Sequence, residues 1–227
     1  MWARAVVVGM DGSVAAFRAL DAAACEAERR GAVLEVVHCV ADPDEAGPVL
    51  RAAAARLAER RPGLAVRQSA VVGDPVEVLA ERSGAAELVV VGSRGAAGLG
   101  RLLTHSVSRR LAARTRGPLL VVRGTTRAAA TGVRGGVLLG VAGDGDAEAA
   151  LFAFEEAALC GCGPGLAVDA RSVRAGQCRA LIEASGTSRL VVLAAHRRRG
   201  LPGRELGAVT AGLLRHSRCP VVIVPVP

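Results

Sequence analysis

Residues 5–13 read Ala-Val-Val-Val-Gly-Met-Asp-Gly-Ser. The unbroken valine run predicts a strand that is buried on both faces, because a strand with one wet face alternates apolar and polar residues. Ser13 is a typical N-cap residue. The segment after it predicts a helix that runs to about Arg30 and ends at Gly31. Residues 5–30 are therefore predicted to form a buried strand, a turn that contains a carboxylate, and a helix.

The same alternation of strand and helix patterns continues to residue 122. Asp74 and Pro75 are typical of the N-cap and first position of a helix. Further strands are predicted at 34–40, 65–72, 87–91 and 118–122, and further helices at 44–61, 75–83 and 107–116. Strands that alternate with helices in this way predict an α/β fold with a doubly wound parallel sheet.

The chain is internally duplicated. Residues 88–122 align without gaps on residues 190–224, at an offset of 102, whereas Val6–Gly9 aligns with Val137–Gly140 at an offset of 131. The second copy has therefore lost 29 residues after its first helix. We predict a complete domain at 1–124, a linker at 125–135 that is rich in Thr, Ala and Gly, and a domain at 136–227 that lacks one strand and one helix.

Composition excludes several classes of function. All 29 basic residues are Arg, so mechanisms that need a lysine amine are excluded, among them a Walker A loop and a Schiff base. The sequence has no Gly-x-Ser-x-Gly elbow and no His pair at i, i+4. The net charge of +8 is spread over both halves, and only 2% of residues are aromatic. A nucleic-acid binder interleaves aromatic residues for stacking, so the composition argues against that activity and leaves it as a weaker alternative.

The sequence also gives expectations about location and thiols. No apolar run approaches the roughly 18 residues of a membrane span, and residues 1–13 show no signal-peptide pattern, so we expect a cytoplasmic protein. The six cysteines form no Cys-x-x-Cys motif and are expected to be reduced thiols. A metal site made of Cys160, Cys162, Cys178 and Cys219 is the alternative.

Two segments of the first copy are candidates for binding chemistry. Asp11 follows the first strand, and a glycine-rich loop with Gly92 and Gly95 follows the fourth. In a doubly wound sheet, both segments open into the crevice where the strand order reverses. Glycine lets backbone amides approach a phosphate, and a carboxylate accepts hydrogen bonds from ribose hydroxyls or holds a phosphate-bound Mg²⁺ indirectly. A purely structural turn is the alternative interpretation of the glycine loop.

These motifs resemble the universal stress protein family. The resemblance rests on Val6–Ser13, on Val36-Val-His38, on Val91-Gly-Ser-Arg-Gly95 and on Gly117-Pro-Leu-Leu-Val-Val122. It covers the first copy nearly end to end and the second in reduced form. It implies a five-stranded parallel sheet in the order 3-2-1-4-5 and pairing through the last strand. Residues 119–122 and 221–224 would then join the two copies as an intramolecular pseudo-dimer.

Many members of that family bind ATP through Gly-x-x-Gly, nine residues, then Gly and Ser or Thr. Here His105 stands where the third glycine is expected. Two interpretations stay open: His105 closes the pocket, or its amide and ring contact phosphate. The nucleotide-binding residues that the resemblance implies are Gly9, Asp11, Cys39, Val91, Gly92, Arg94, Gly95, His105, Ser106 and Val107.

The second copy lacks these features. Its loop reads Ala194-Ala-His-Arg197, and Ala142 replaces the aspartate, so we predict that it binds no nucleotide. The resemblance implies a non-catalytic stress-response protein, with no catalytic or metal-ligating residues of its own, that binds ATP with Mg²⁺ in the first domain only. Alternatives are a protein that acts through contacts with an unknown protein partner and binds no nucleotide, a slow ATPase, and a basic nucleic-acid binder.

Overall fold

A computed structural model describes residues 4–93, 107–123, 135–160, 176–196 and 206–226. The described residues form two compact units. The first unit comprises residues 4–93 and 107–123, and the second comprises the remaining described residues. The predicted linker at 125–135 lies almost wholly outside the described residues, so the domain boundaries stay a prediction.

The first unit is a five-stranded parallel sheet wrapped by helices. Its strands are β1 (Ala5–Met10), β2 (Val33–Val40), β3 (Val66–Val72), β4 (Leu88–Ser93) and β5 (Leu119–Arg123). Its helices are α1 (Val14–Arg30), α2 (Gly47–Arg60), α3 (Pro75–Arg82) and α4 (Val107–Ala112). The strands lie in the order β3-β2-β1-β4-β5, which confirms the predicted order.

The core of this unit lies on both faces of the sheet. Residues 6–8 of β1 and 88–91 of β4 are buried without alternation, as the valine runs predicted. Helices α1 and α2 pack together, as do α3 and α4, and each pair contacts the strands. Because β1 lies between β2 and β4, its carboxyl end is the point where the strand order reverses.

The ends of the helices follow from single residues. The Ser13 hydroxyl accepts a hydrogen bond from the backbone N–H of Ala16 at 3.2 Å, which caps α1. Gly31 ends α1 in the left-handed region, at φ 59° and ψ 34°. The Asp74 carboxylate accepts from the backbone N–H of Val76 at 2.7 Å and caps α3. All three ends agree with the sequence prediction.

Two predicted helices differ from the structure. The segment predicted as one helix at 44–61 is a 3₁₀-helix at Pro43–Ala46 followed by α2. The helix predicted at 107–116 ends at Ala112. There the backbone N–H groups of Arg114 and Thr115 both turn back to the Leu111 carbonyl, which closes the helix as a turn before Pro118.

The second unit is a three-stranded parallel sheet in its described part. Its strands are β6 (Val137–Gly140), β7 (Leu190–His196) and β8 (Val221–Val226), with β7 in the middle. A 3₁₀-helix (Asp144–Asp146) precedes α5 (Ala147–Leu159), and α6 (Gln177–Ala184) and α7 (Ala208–His216) complete the unit. Helix α5 packs on all three strands. The predicted loss of a strand and a helix falls beside residues 161–175, which lie outside the described residues.

The duplication is visible at the level of single hydrogen bonds. Buried Ser83 accepts from the backbone N–H of Arg116 at 2.8 Å, and Ser185, 102 residues later, accepts from that of Arg218 at 2.9 Å. The backbone N–H of Val89 donates to the Pro118 carbonyl, just as that of Val191 donates to Pro220. The two units therefore repeat the same internal structure. The predicted pairing of their last strands stays a prediction.

Acid unfolding tests the Asp74 cap. The hydrogen bond from Val76 and the nearby Arg110 guanidinium lower the pKa of Asp74 below its ordinary value. A pKa lowered by folding stabilises the protein above the unfolded value of about 3.9, and this contribution is lost as the pH falls through the folded pKa. We expect Asp74→Asn, which keeps a capping oxygen, to lower the urea midpoint by a constant amount from pH 7 to about pH 5. The difference should shrink below about pH 4. A difference that is independent of pH would show that the charge is irrelevant.

Candidate functional site

The site lies where β1 and β4 end side by side. Asp11 is the first residue after β1, and its carboxylate is exposed. Its Oδ1 accepts a hydrogen bond from the backbone N–H of Ser13 at 2.9 Å. Between these two residues, Gly12 has φ 75°, a left-handed conformation that glycine adopts without strain. The tight turn therefore holds the Asp11 carboxylate at the point where the strand order reverses.

Gly92 has a packing role in this structure. A Cβ on Gly92 would collide with the backbone carbonyl of Ala15, in the first turn of α1. A backbone neighbour cannot swing aside as a flexible side chain can, so only glycine lets β4 and α1 approach this closely. This observation supports the structural interpretation of at least the first glycine of the loop.

Gly9 is also explained by packing. A Cβ there would meet the buried Leu79 side chain at 2.8 Å and Val91 at 3.5 Å. The second unit repeats this arrangement, since a Cβ on Gly140 would meet Leu193 at 2.6 Å and Leu181 at 3.4 Å. The glycine thus makes room for Leu79 of α3 in the first unit and for Leu193 of β7 in the second. The sequence signal that could have revealed this was the alignment of Gly9 with Gly140.

Cys39 lies near the end of β2, beside the same edge of the sheet. Burial, and then the charge of Asp74, raise the pKa of its thiol above the ordinary value. A raised pKa keeps the thiol neutral at physiological pH and makes it a poor nucleophile. Next to it, Nδ1 of His38 lies 2.8 Å from the Met10 carbonyl oxygen, which ties the ends of β1 and β2 together. Cys39 therefore offers no reactive group at this edge of the sheet.

Sequence reasoning missed Asp74 and Arg110 as neighbours of this edge. The Arg110 guanidinium donates to Asp74 Oδ2 at 3.1 Å and links α4 to the start of α3. The Asp74–Pro75 cap was visible in the sequence, but its partner 36 residues later was not.

The described residues hold six of the ten predicted site residues. Gly9, Asp11, Cys39, Val91 and Gly92 lie at the ends of β1, β2 and β4, and Val107 begins α4. Arg94, Gly95, His105 and Ser106 lie outside the described residues. The phosphate-binding part of the predicted site therefore stays a prediction.

In the second unit, the carboxylate of Asp146 is buried, whereas that of Asp11 in the first unit is exposed. Asp146, which precedes α5, is buried, and its Oδ2 lies 2.5 Å from the backbone N of Ala142 and 3.3 Å from that of Gly143. Its Oδ1 lies 2.7 Å from Nε2 of His196, whose ring is half exposed at the end of β7. Ala142 is the residue that replaces the first unit's aspartate. The Asp146 carboxylate is thus engaged by the turn itself.

The rest of the described chain adds three findings. No three His, Cys, Asp or Glu side chains of the described residues come together as a metal site would require. The five described cysteines are free thiols. Among the described residues, no helix has both the length and the apolar character of a membrane span.

Several known proteins are similar to this chain over all or part of its length. A universal stress protein of Mycobacterium tuberculosis, Rv2005c, is 30% identical over an alignment of 286 residues that covers 96% of each chain. The crystal structure of a universal stress protein from Archaeoglobus fulgidus is 17% identical, covers 99% of both chains and has a TM-score of 0.61. A universal stress protein in complex with cAMP is 31% identical over 55% of this chain, with a TM-score of 0.47.

The family model covers most of both units. The model of the universal stress protein family matches residues 3–123 and again residues 138–225. The two matches agree with the two described units and with the repeated hydrogen bonds within them. The chain therefore belongs to the universal stress protein family and carries the family's domain twice.

Proposed function

We propose that the protein is a non-catalytic stress-response protein whose first unit binds an adenine nucleotide, ATP, at the carboxyl ends of β1, β2 and β4. The observation that carries the proposal is the exposed Asp11 carboxylate, held at the switch point by the turn through Gly12. A carboxylate there suits the ribose hydroxyls, which donate hydrogen bonds. We assign no catalytic step and propose a cytoplasmic location.

The residues at this edge fit a nucleotide that brings its own metal ion. Asp11 is the only carboxylate of the described residues at the end of β1, and its Oδ1 already accepts from Ser13. Mg²⁺ commonly keeps several waters and takes most of its protein-bound contacts from substrate phosphates and one or two carboxylates. We infer that Mg²⁺ enters with ATP and that its phosphates, rather than a protein cage, hold it.

We further propose that the second unit binds no nucleotide. It lacks the aspartate, because Ala142 stands there, and Asp146 is buried against the backbone of the same turn. A carboxylate that already accepts two backbone hydrogen bonds and faces an imidazole offers nothing to a ribose. One ATP per chain is therefore expected.

A second candidate function is binding of a protein partner without any nucleotide. The packing roles of Gly9 and Gly92 favour it, because both glycines would be retained in a protein with a dead pocket. The two functions differ in a single property, which is the affinity of the full chain for ATP.

Isothermal titration of the full chain with Mg·ATP tests the proposal. We expect one site per chain and at least a tenfold loss of affinity in Asp11→Ala, because a charge-assisted hydrogen bond contributes roughly 1.5–3 kcal/mol. Asp42→Ala is the matched control, since the exposed Asp42 carboxylate makes the same kind of turn, accepting from Asp44 N at 3.0 Å. It should bind ATP as the wild type does. Titration with cAMP shows whether the phosphate arrangement matters.

Two outcomes contradict the proposal. If no heat of binding is measured at millimolar ATP, the chain does not bind ATP, and the second candidate function, binding of a protein partner, is favoured. If the wild type and Asp11→Ala bind ATP with equal affinity, the nucleotide does not bind at the end of β1.

A further inference from the structure

Helix α5 exposes an unusual apolar surface. Ala147, Leu151, Phe154 and Ala158 recur at helical spacing and form one stripe, which we call the α5 stripe. Leu151 is 62% exposed and Phe154 is 47% exposed. The opposite side of the helix is buried against the strands of the second unit. Large apolar side chains that are adjacent and exposed mark interaction surfaces more often than single ones do.

The first unit shows what normally occupies this surface. When α1 and α5 are aligned at their N-cap residues, Ser13 and Asp146, the buried residues of the two helices fall at equivalent positions. These residues are Ala16, Ala19, Leu20, Ala23 and Ala24 in α1, and Ala149, Phe152, Ala153, Glu156 and Ala157 in α5. In this alignment Leu151 matches Arg18, and Phe154 matches Asp21. The stripe is therefore apolar where α1 is charged.

Helix α2 covers that side of α1. The Arg56 guanidinium of α2 donates to both carboxylate oxygens of Asp21, at 2.7 and 2.6 Å. The same guanidinium lies 5.8 Å from the centre of the Phe17 ring. An amphipathic helix with arginines on its edge thus docks on α1 through a carboxylate and an apolar contact.

The chain between α5 and α6 is shorter than the chain between α1 and α3. Residues 160–176 separate α5 from α6, whereas residues 31–74 separate α1 from α3 and hold two strands, a 3₁₀-helix and α2. The change from Asp21 to Phe154 falls on the face that α2 covers in the first unit, and the lack of an equivalent helix in the second unit stays a prediction. The solvent face of a surface helix is usually polar, and this one is apolar.

The charges around the stripe are of one sign. Helix α5 carries Glu148, Glu155 and Glu156 and no basic residue, in a chain with 29 basic and 21 acidic residues. Glu148 and Glu155 are exposed, and neither forms an ion pair with any residue that the structure describes. At about 100° per residue both lie along one edge of the stripe. The surface is therefore an apolar strip with an acidic border.

We propose that the α5 stripe docks an amphipathic helix of another protein, one that carries arginine or lysine along the edge of its apolar face. The stripe supplies apolar contact area, and Glu148 and Glu155 supply charge complementarity to the basic edge. A second copy of this chain fits less well. Its own stripe would bring further glutamates and no cation to the contact, and like charges repel. In the first unit, α2 meets α1 with the same combination of apolar face and arginine edge.

A pair of synthetic peptides tests this docking surface on the full chain. The probe is a helical peptide of about 18 residues with leucines on one face and arginines along one edge, and the matched peptide carries glutamates in place of the arginines. Fluorescence anisotropy is expected to show at least tenfold tighter binding of the arginine peptide. Leu151→Glu/Phe154→Glu should weaken that binding at least tenfold. Glu148→Gln/Glu155→Gln should weaken it several-fold and reduce its dependence on salt.

The control variant is Val72→Glu, which changes another exposed apolar residue, 59% exposed at the end of β3 in the first unit. It should bind the arginine peptide as the wild type does. Equal binding of the two peptides, or unchanged binding in Leu151→Glu/Phe154→Glu, would overturn the proposal. A third outcome would also overturn the proposal, namely that sedimentation shows a dimer of the wild type and that Phe154→Glu dissociates this dimer. A second copy of the chain would then occupy the stripe. Because all the changed residues are exposed, circular dichroism should show an unchanged fold.

Discussion

Replacing Gly92 with alanine is expected to destabilise the protein by about 2–3 kcal/mol, the upper end of what overpacking usually costs. The added Cβ would collide with the Ala15 carbonyl in the first turn of α1, and that carbonyl belongs to a backbone fixed by the Ser13 cap. Either β4 or the start of α1 must then move. Urea unfolding followed by circular dichroism measures the loss as a lower midpoint.

Gly63→Ala is the control for this prediction. Gly63 has open space where its Cβ would stand, and its φ lies outside the left-handed region, so the midpoint should stay the same or rise slightly. Gly9→Ala should fall between the two, because its Cβ would press on the movable end of Leu79. If Gly92→Ala were as stable as Gly63→Ala, the packing role of Gly92 would be wrong.

Replacing Asp146 with alanine is expected to cost about 2 kcal/mol. The change removes the acceptor for the backbone N–H groups of Ala142 and Gly143, and unpaired donors in a part-buried turn carry a desolvation penalty. Hydrogen exchange should show the loss of protection at the amides of residues 142 and 143.

Two related variants separate the contributions of the turn and of the imidazole. Asp146→Asn keeps an acceptor oxygen for the backbone and should recover most of the stability. His196→Ala should cost less than about 1 kcal/mol, because the His196 ring is half exposed and its pairing is screened by water. A loss in His196→Ala as large as the loss in Asp146→Ala would show that the contact with His196, and not the turn, stabilises the second unit.

Much of the fold could be predicted from residue patterns alone. The unbroken valine runs at Val6–Val8 and Val89–Val91 are buried on both faces, as parallel central strands are. Ser13, Gly31 and Asp74 act as the caps that their residue types indicated. The strand order came from the family resemblance, because spacing by itself does not say which strands are neighbours.

The differences arise from contacts that residue patterns do not reveal. The end of α4 at Ala112 depends on the Leu111 carbonyl accepting from two turn residues, which no periodicity reveals. The packing role of Gly92 depends on how closely α1 approaches β4, a distance that is set by the tertiary structure. In the second unit, Ala194 stands at the matching position, which shows that the same approach is not required there.

The candidate site was predictable in part. The position of Asp11 at the end of β1 follows from the valine run and the glycine after it, and the structure places it there. The packing contacts of Gly9 and Gly92 involve Leu79 and Ala15, which are distant in sequence, so residue patterns alone left both a ligand and a structural turn open for the glycine loop. Asp146 was missed because its role depends on burial, and an aspartate before a helix is common on surfaces as well.

The nucleotide content of the freshly purified full chain tests the central claim most directly. The protein is denatured, its supernatant is separated by anion exchange, and the wild type is compared with His105→Gly and Asp11→Ala. We predict close to one ATP per chain in the wild type and much less in Asp11→Ala. No ATP in the wild type or in Asp11→Ala, together with ATP in His105→Gly, would contradict the claim. It would show that His105 closes an otherwise intact pocket and that the protein acts without a nucleotide.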